Sequence, residues 1–368
     1  MVDILQNFCT FVNQPILVTQ PLTVMNAFSE RLKSARKMKG WSFQQMADNL
    51  SIAISKQALH KYESGQMKPT GEVLIALSKA LSVKPDYFLK EPTIQLPEVE
   101  FRKKASLGAK EIDSIKEKVK DFLERYLEAE ELLNIKSKFK KPVDNIRIKE
   151  VSDVEEAVLQ LIKKWNLGFD PIPNVIEMLE DNGVKVIEIE AADAFDGLST
   201  YVGDIPVIVI SEYFTVERKR FTALHELGHL VLNIEKGADK EKICHAFAGA
   251  MLLPDDVLEK HLGEKRNNIA IGELVSIKEE FGVSLQAIMM RAQLKGIIDR
   301  SKADRFWKFI RTNKREDGLG SYAGIEKSYR FQHLVFRLAA EEVVSLSKAS
   351  NLAGMKLADF REKLEAAE

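Results

Sequence analysis

Phe221-Thr222-Ala223-Leu224-His225-Glu226-Leu227-Gly228-His229-Leu230-Val231-Leu232 is the stretch from which the rest of the chain is read. Its two histidines stand four positions apart, so a helix brings both imidazoles to one face on successive turns, where they can hold one zinc ion at about 2.0–2.1 Å. Glu226 is offset by one residue and points beside such an ion, which suits a base that takes a proton from an attacking water. Zinc at this kind of site makes water more acidic and polarises a carbonyl oxygen, so the pattern points to hydrolysis of an amide near neutral pH. Phe221, Leu224, Leu227 and Val231 supply the apolar face of the same helix, and the run 206–210 just before it reads as a strand.

A zinc site that keeps one position for water needs a third protein ligand. No Gly or His follows His229 at the spacing of the longer metzincin motif, so the next helix must provide it. Asp239, Glu241, Cys244 and His245 are the donors there. Glu241 and His245 are four apart and share a face, so spacing favours Glu241 without deciding the matter.

Around this core the periods alternate. Helices are expected near 154–165 and 174–182, strands at 185–189, 198–202 and 206–210, then helices over 215–233, 240–253, 272–281 and 284–294. Strands followed by a run of helices predict an α+β domain. The polar, Gly-containing 311–324 reads as a loop, and the remaining residues return to short helical periods, with Ser345 opening a small helix-turn-helix pattern of their own.

The N-terminal part is different. Phe28, Leu32, Ala35 and Met38 form a helical period closed by Gly40. Ser42 opens a second helix with Met46, Ala47 and Leu50 inward, and Ser55 opens a third with Leu59 and Tyr62 that stops at Gly65. Pro69 and Thr70 start a fourth carrying Val73, Leu74, Leu77 and Leu81, and 85–89 is a short fifth element. This is an all-helical bundle. Between it and the α+β part, the charge-rich 98–141 repeats Ile112, Ile115, Val119, Phe122, Tyr126 and Leu133 at three- and four-residue intervals. One long amphipathic helix is expected, packed on a neighbouring domain or paired as a short dimerising coil that would make the protein a homodimer.

A chain of 368 residues accommodates two or three domains at roughly 100–200 residues each. The expected division is 1–25, an extension of no assigned role; 26–92, the bundle; 93–145, a linker with the long helix; 146–300, the α+β domain; and 301–368, a helical module. Hydrophobic residues at 45% and charged residues at 30% exclude a collagenous or wholly disordered chain. The two cysteines, Cys9 and Cys244, build no disulfide framework and fit a reducing compartment. No run approaches the ~20 apolar residues of a membrane helix, and the N-terminus lacks the basic start of a secretory signal, so a cytoplasmic protein without membrane contact is expected. The net charge of −1 hides an asymmetry: residues 26–90 carry 11 Lys/Arg against 5 Asp/Glu, which favours a polyanion at that end.

Two resemblances add to this reading. Arg218-Lys219-Arg220-Phe221-Thr222, the HELGH motif, Glu241, Phe247-Ala248 and Leu252-Leu253-Pro254 resemble the ImmA/IrrE-type metallopeptidases. The resemblance implies a zincin-like metallopeptidase domain with His225, His229 and Glu241 as zinc ligands and Glu226 as base. His245 stands where members of that family usually have Asn. The strand 197–201 resembles the family's cleft-lining edge strand, to which a substrate peptide could add. Tyr201, Tyr213 and Arg220 are all candidates to stabilise an oxyanion, and spacing selects none of them.

Residues 31–89 independently resemble the helix-turn-helix of Xre/Cro-like repressors. That resemblance puts Ser55, Lys56, Gln57, His60 and Lys61 at the N-terminal end of the groove-reading helix, with Gln57 suited to adenine, Lys56 to guanine, and Ser42 and Gln44 to phosphate. Such a bundle could instead bind protein. Phe101-Arg102-Lys103 before the long helix and a C-terminal module over 331–364 also occur in fused family members. Together the resemblances imply an intracellular zinc endopeptidase fused to a module for double-stranded DNA, acting on a repressor or other regulator in stress response or mobile-element control. The alternative is a non-catalytic transcriptional regulator or toxin–antitoxin component that uses the peptidase fold as sensor or scaffold.

Overall fold

The computed structural model describes residues 24–96, 108–136, 139–191, 195–312 and 316–366. Most of the N-terminal extension, Cys9 and Phe101-Arg102-Lys103 lie outside the described residues. The chain divides into two compact units, Met1–Thr93 and Ile94–Glu368.

In the first unit the serines and threonine sit at helix starts because their short side chains satisfy amide groups that the first turn leaves open. Helix α1 spans Val24–Met38 and α2 spans Phe43–Asp48, where Ser42 caps the start and forms a reciprocal box with Gln45. Helix α3, Lys56–Glu63, is capped by Ser55, and α4, Gly71–Leu81, by Thr70. A short 3-10 turn over Pro85–Leu89 completes the unit. Phe28, Leu32, Ala35, Met46, Leu59, Tyr62, Leu77, Leu81 and Phe88 meet in one core, so the apolar periods of the sequence converge as expected.

The second unit is built around a three-stranded sheet. Helix α5, Ala109–Leu132, comes first. It is shorter than the amphipathic pattern: Gly108 precedes its first residue, and at its end Asn134 takes φ 55° so that the amides of Asn134 and Ile135 close back on Glu131 and Glu130. A two-residue strand β1, Arg147–Ile148, is followed by α6, Val154–Trp165, and α7, Val175–Asp181. The sheet strands are β2, Lys185–Ile189; β3, Leu198–Val202; and β4, Ile205–Ser211. Their order is β2-β4-β3, with β2 parallel and β3 antiparallel to β4. Among the described residues, strand β3 therefore has a sheet neighbour on one side only.

Both faces of this sheet are covered, which is why β4 reads as an unbroken apolar run. On one face Val186, Ile208 and Ile210 pack against Ala223, Leu224 and Leu227 of helix α8, Val216–Val231. On the other, Ile187, Ile189, Val207 and Val209 pack against Ile115, Val119 and Leu123 of α5. The long helix thus spends its apolar stripe inside the same unit. After α8, strand β5, Asn233–Ile234, pairs in parallel with β1. Helices α9, Lys240–Leu252; α10, Asp255–Leu262; α11, Ile271–Phe281; α12, Leu285–Leu294; and α13, Arg300–Thr312 enclose the larger core.

The C-terminal helices α14, Arg330–Ala340; α15, Leu346–Leu352; and α16, Leu357–Glu365 close over the distal half of α5. Leu334, Val335, Leu338, Leu352 and Phe360 join Tyr126 and Ala129 there. No helix of the described residues is long and apolar enough to cross a membrane.

Candidate metal centre

Helix α8 turns Ala223, Leu224, Leu227, Leu230 and Val231 into the core, which leaves His225 and His229 at its cleft edge with side chains 12% and 25% exposed. The next helix crosses it closely because position 228 is glycine. A Cβ there would lie 3.1 Å from Phe247 Cδ1 and 3.2 Å from Cys244 Sγ, closer than packed side chains normally approach. That crossing aims Glu241, in the first turn of α9, at the two imidazoles.

The three side chains converge. The Nε2 atoms of His225 and His229 are 3.1 Å apart, Glu241 Oε2 is 3.3 Å from His225 Nε2, and Glu241 Oε1 is 3.4 Å from His229 Nε2. Among the described residues these form a His/His/Glu group whose ligand atoms all lie within 4.8 Å of one another. Lone-pair nitrogens and anionic oxygens aimed at one point repel unless a proton or a cation lies among them. Ligands held at about 2.0–2.1 Å around a tetrahedral zinc ion stand roughly 3.3 Å from each other, so the observed separations fit that ion.

The other donors on this stretch are occupied elsewhere. Asp239 caps α9 by accepting from the Lys242 amide. Cys244 is buried under Gly228, and burial together with the Glu241 and Glu226 carboxylates pushes its thiol up to about 12, so it stays protonated at neutral pH. His245 is exposed; its Nδ1 bonds to the Glu241 carbonyl at 2.7 Å and its ring lies 4.3 Å from that of His225. It buttresses the cluster from the side.

Glu226 lies beside the group and is 5% exposed. Ser199, on the edge strand β3, donates to Glu226 Oε2 at 2.7 Å. Gly197, just before β3, takes φ +155°, and a Cβ there would meet Thr222 Cγ2 at 2.7 Å and Glu226 Oε1 at 3.1 Å. The edge strand therefore holds the carboxylate on two sides. Ser199 carries no signal in the sequence beyond its place in a strand, because it lies 27 positions from the residue it touches.

The oxyanion candidates separate clearly. Arg220 does not face the cleft: it is fully buried, pairs with Glu326 at 2.9 Å and donates to the carbonyls of Ile172 and Phe281 at 2.8 and 3.1 Å. It ties α8 to the segment before α14, and nothing local in the sequence points to its partner Glu326, 106 positions away. The Tyr201 hydroxyl donates to the Leu230 carbonyl at 3.0 Å. Tyr213, 66% exposed, is on the surface after β4.

In the first unit, Ser42, Gln44, Ser55, Lys56, Gln57, His60 and Lys61 are all exposed. Gln44 and Asp48 from α2, the cap residue Ser55, and Lys56 and Gln57 from α3 line one shallow groove of about 430 Å³. The hydroxyls of Ser42 and Ser55 act as helix caps, and Gln44 bonds to Asp48 at 2.8 Å. His60 packs its ring 5.5 Å from Phe43.

Comparison with known proteins agrees with both units. Residues 179–293 match the IrrE N-terminal-like domain of the peptidase M78 family, and residues 32–88 match the helix-turn-helix family. The chain thus carries an Xre-type helix-turn-helix domain followed by an IrrE N-terminal-like domain. Curated relatives align with the first of these. The SPbeta prophage-derived uncharacterized HTH-type transcriptional regulator YonR of Bacillus subtilis (strain 168) is 46% identical over 63 residues, 17% of this chain and 56% of the relative. The uncharacterized HTH-type transcriptional regulator YqaE of the same organism is 44% identical over 63 residues, 17% of this chain and 53% of the relative. Repressor protein C2 of Salmonella phage P22 is 39% identical over 61 residues, 17% of this chain and 27% of the relative. The chain spans about half the length of the two Bacillus relatives.

Proposed function

We propose that this chain is a zinc-dependent endopeptidase tethered to a DNA-binding domain and that it cleaves a repressor or other regulatory protein inside the cell. The observation that carries this reading is the convergence of His225, His229 and Glu241 beside a buried Glu226. Zinc held by those three side chains would polarise the scissile carbonyl and make an attacking water more acidic. Glu226 takes the proton from that water and returns it to the leaving amine, with Ser199 holding its carboxylate in place. The free side of β3 accepts a substrate segment as an added strand, which lays the peptide across α8. On the first unit, the N-terminal end of α3 with Ser55, Lys56 and Gln57 faces base edges, and Ser42 and Gln44 sit against phosphate. Tethering raises the effective concentration of the peptidase near a target bound to the same DNA.

The test uses the purified full chain and the products of genes adjacent to its own. It should contain one zinc per chain, and Glu226→Gln should keep the zinc while cleavage falls by about 10²–10⁴, the usual contribution of a general base. Equal cleavage by the variant removes the mechanism. Operator binding that survives chelation, in a wild-type protein that cleaves no partner, establishes the non-catalytic regulator instead.

A further inference from the structure

A cleft of about 760 Å³ opens in the second unit, and none of the residues discussed for the metal group lines it. Its walls are residues 135–136 after α5 and 140–144 before β1, the C-terminal ends of α6 and α7, and the first residue of α14. Lys136, Lys140, Lys141, Lys164 and Arg330 line it, with Trp165 as an aromatic wall. Among the described residues the four lysines have no ion-pair partner. Among the described residues Arg330 is only loosely engaged: its nearest carboxylates, Glu130 and Asp181, are each 3.9 Å away, beyond hydrogen-bond length, and its buried Nε has no hydrogen-bond partner.

Positive charge concentrated in a concave site calls for an anion. A single carboxylate would neutralise one of five cations, whereas adjacent phosphoryl groups offer several charges and many acceptor oxygens at once. The volume lies within the ~300–1,000 Å³ of small-molecule sites. Asp144, Glu180 and Asp181 also line the cleft. They disfavour a long nucleic-acid backbone but can accept hydrogen bonds from hydroxyl or amino groups. Burial pushes the Glu180 carboxyl up to about 7, so its negative charge is only partly present at neutral pH.

We propose that this cleft binds a small polyphosphate anion, held by the four lysines and Arg330 where the C-terminal helices join the sheet domain. A nucleoside triphosphate and inorganic tripolyphosphate share that chemistry, and Trp165 would favour the former by stacking on its base. Because Arg330 opens α14 while Lys136, Lys140 and Lys141 lie between α5 and β1 and Lys164 lies on α6, the bound anion bridges the C-terminal helices to the rest of the unit.

The experiment titrates full-length protein with ATP, GTP and inorganic tripolyphosphate at near-physiological salt, following tryptophan fluorescence and heat. One saturable equivalent is expected, with nucleotide tighter than tripolyphosphate if Trp165 stacks. Lys140→Glu combined with Lys164→Glu, both on exposed side chains, should weaken binding by at least about ten-fold while leaving the unfolding temperature of the free protein unchanged. Lys164→Arg should retain it. Absence of saturable binding, or equal affinity in the double variant, overturns the proposal. So does a double variant that loses affinity for duplex DNA when the wild type binds no tripolyphosphate or nucleotide. Zinc content and partner cleavage do not enter the readout, so this site stands or falls independently of the peptidase reading.

Discussion

Gly197 and Ser199 show how much of the proposed chemistry rests on side chains that do none themselves. Alanine at 197 must relieve a 2.7 Å approach to Thr222 and a 3.1 Å approach to Glu226, in a backbone conformation that L-residues rarely adopt. Gly197→Ala should therefore displace Glu226, reduce cleavage and lower stability by about 1–3 kcal/mol, with zinc content unchanged. Unfolding in urea and metal analysis read the two effects separately. Ser199→Ala removes a hydrogen bond to a carboxylate, of a kind that contributes about 1.5–3 kcal/mol. The expected result is a fall in kcat with little change in KM, restored in part by Ser199→Thr, because the lost contact orients the base and does not bind substrate. Unchanged kcat in Ser199→Ala leaves Ser199 as a plain strand residue.

At the scale of elements, α8 carries the two histidines on one side and Arg220 on the other, and the buried Arg220–Glu326 pair keeps the helix from rotating. Both side chains are fully buried. Burial raises the Glu326 carboxyl above the ordinary range even though Arg220 pulls it down. Removing one partner leaves an uncompensated charge, so Arg220→Met should destabilise by about 3–5 kcal/mol, and Arg220→Met with Glu326→Leu by much less. Equal losses from the single and double variants in equilibrium unfolding would show that packing, not charge, is the function of Arg220. In the first unit, α3 presents Lys56 and Gln57 from a capped start. Lys56→Ala and Gln57→Ala should each relax preference at one base pair at a cost of about 1–3 kcal/mol; a Lys56→Ala protein that instead weakens on all sequences and loses about one from the salt slope puts Lys56 against phosphate. Binding measured over a salt series with matched and mismatched duplexes distinguishes these outcomes.

Across the whole second unit, a buried ionic cluster joins α5, α7, β2 and the C-terminal helices. Lys185 bonds to Glu130 at 2.5 Å, Ser328 donates to Glu180, and Arg330 and Tyr126 face the same space. Burial dominates at Glu180, whose carboxyl rises from 4.5 to about 7 despite the neighbouring Lys185 and Arg330. A carboxyl whose folded value is raised stabilises the fold while protonated, so its contribution is present below the ordinary carboxylate range and is lost as pH rises through about 7. Wild-type Tm should fall between about pH 4.5 and about pH 7 and level off above that, and Glu180→Gln should flatten that fall; parallel curves for the two proteins overturn the assignment. The strands at 185–189 and 198–202, the capped helices of the first unit and the HELGH helix were legible in the sequence, because periodicity and caps are set by neighbours within a few residues. Spacing offered four donors beside the two histidines and three groups for an oxyanion, and could not say which of them meet in space. Which donor side chains come together depends on how α9 rotates against α8, which the contact of Gly228 with Cys244 and Phe247 fixes, and on partners such as Glu326, 106 residues from Arg220. Local pattern determined which elements form and which faces they bury; only close packing between distant elements decided which polar side chains meet, since a one-residue turn of a helix redirects every donor on it by about 100°.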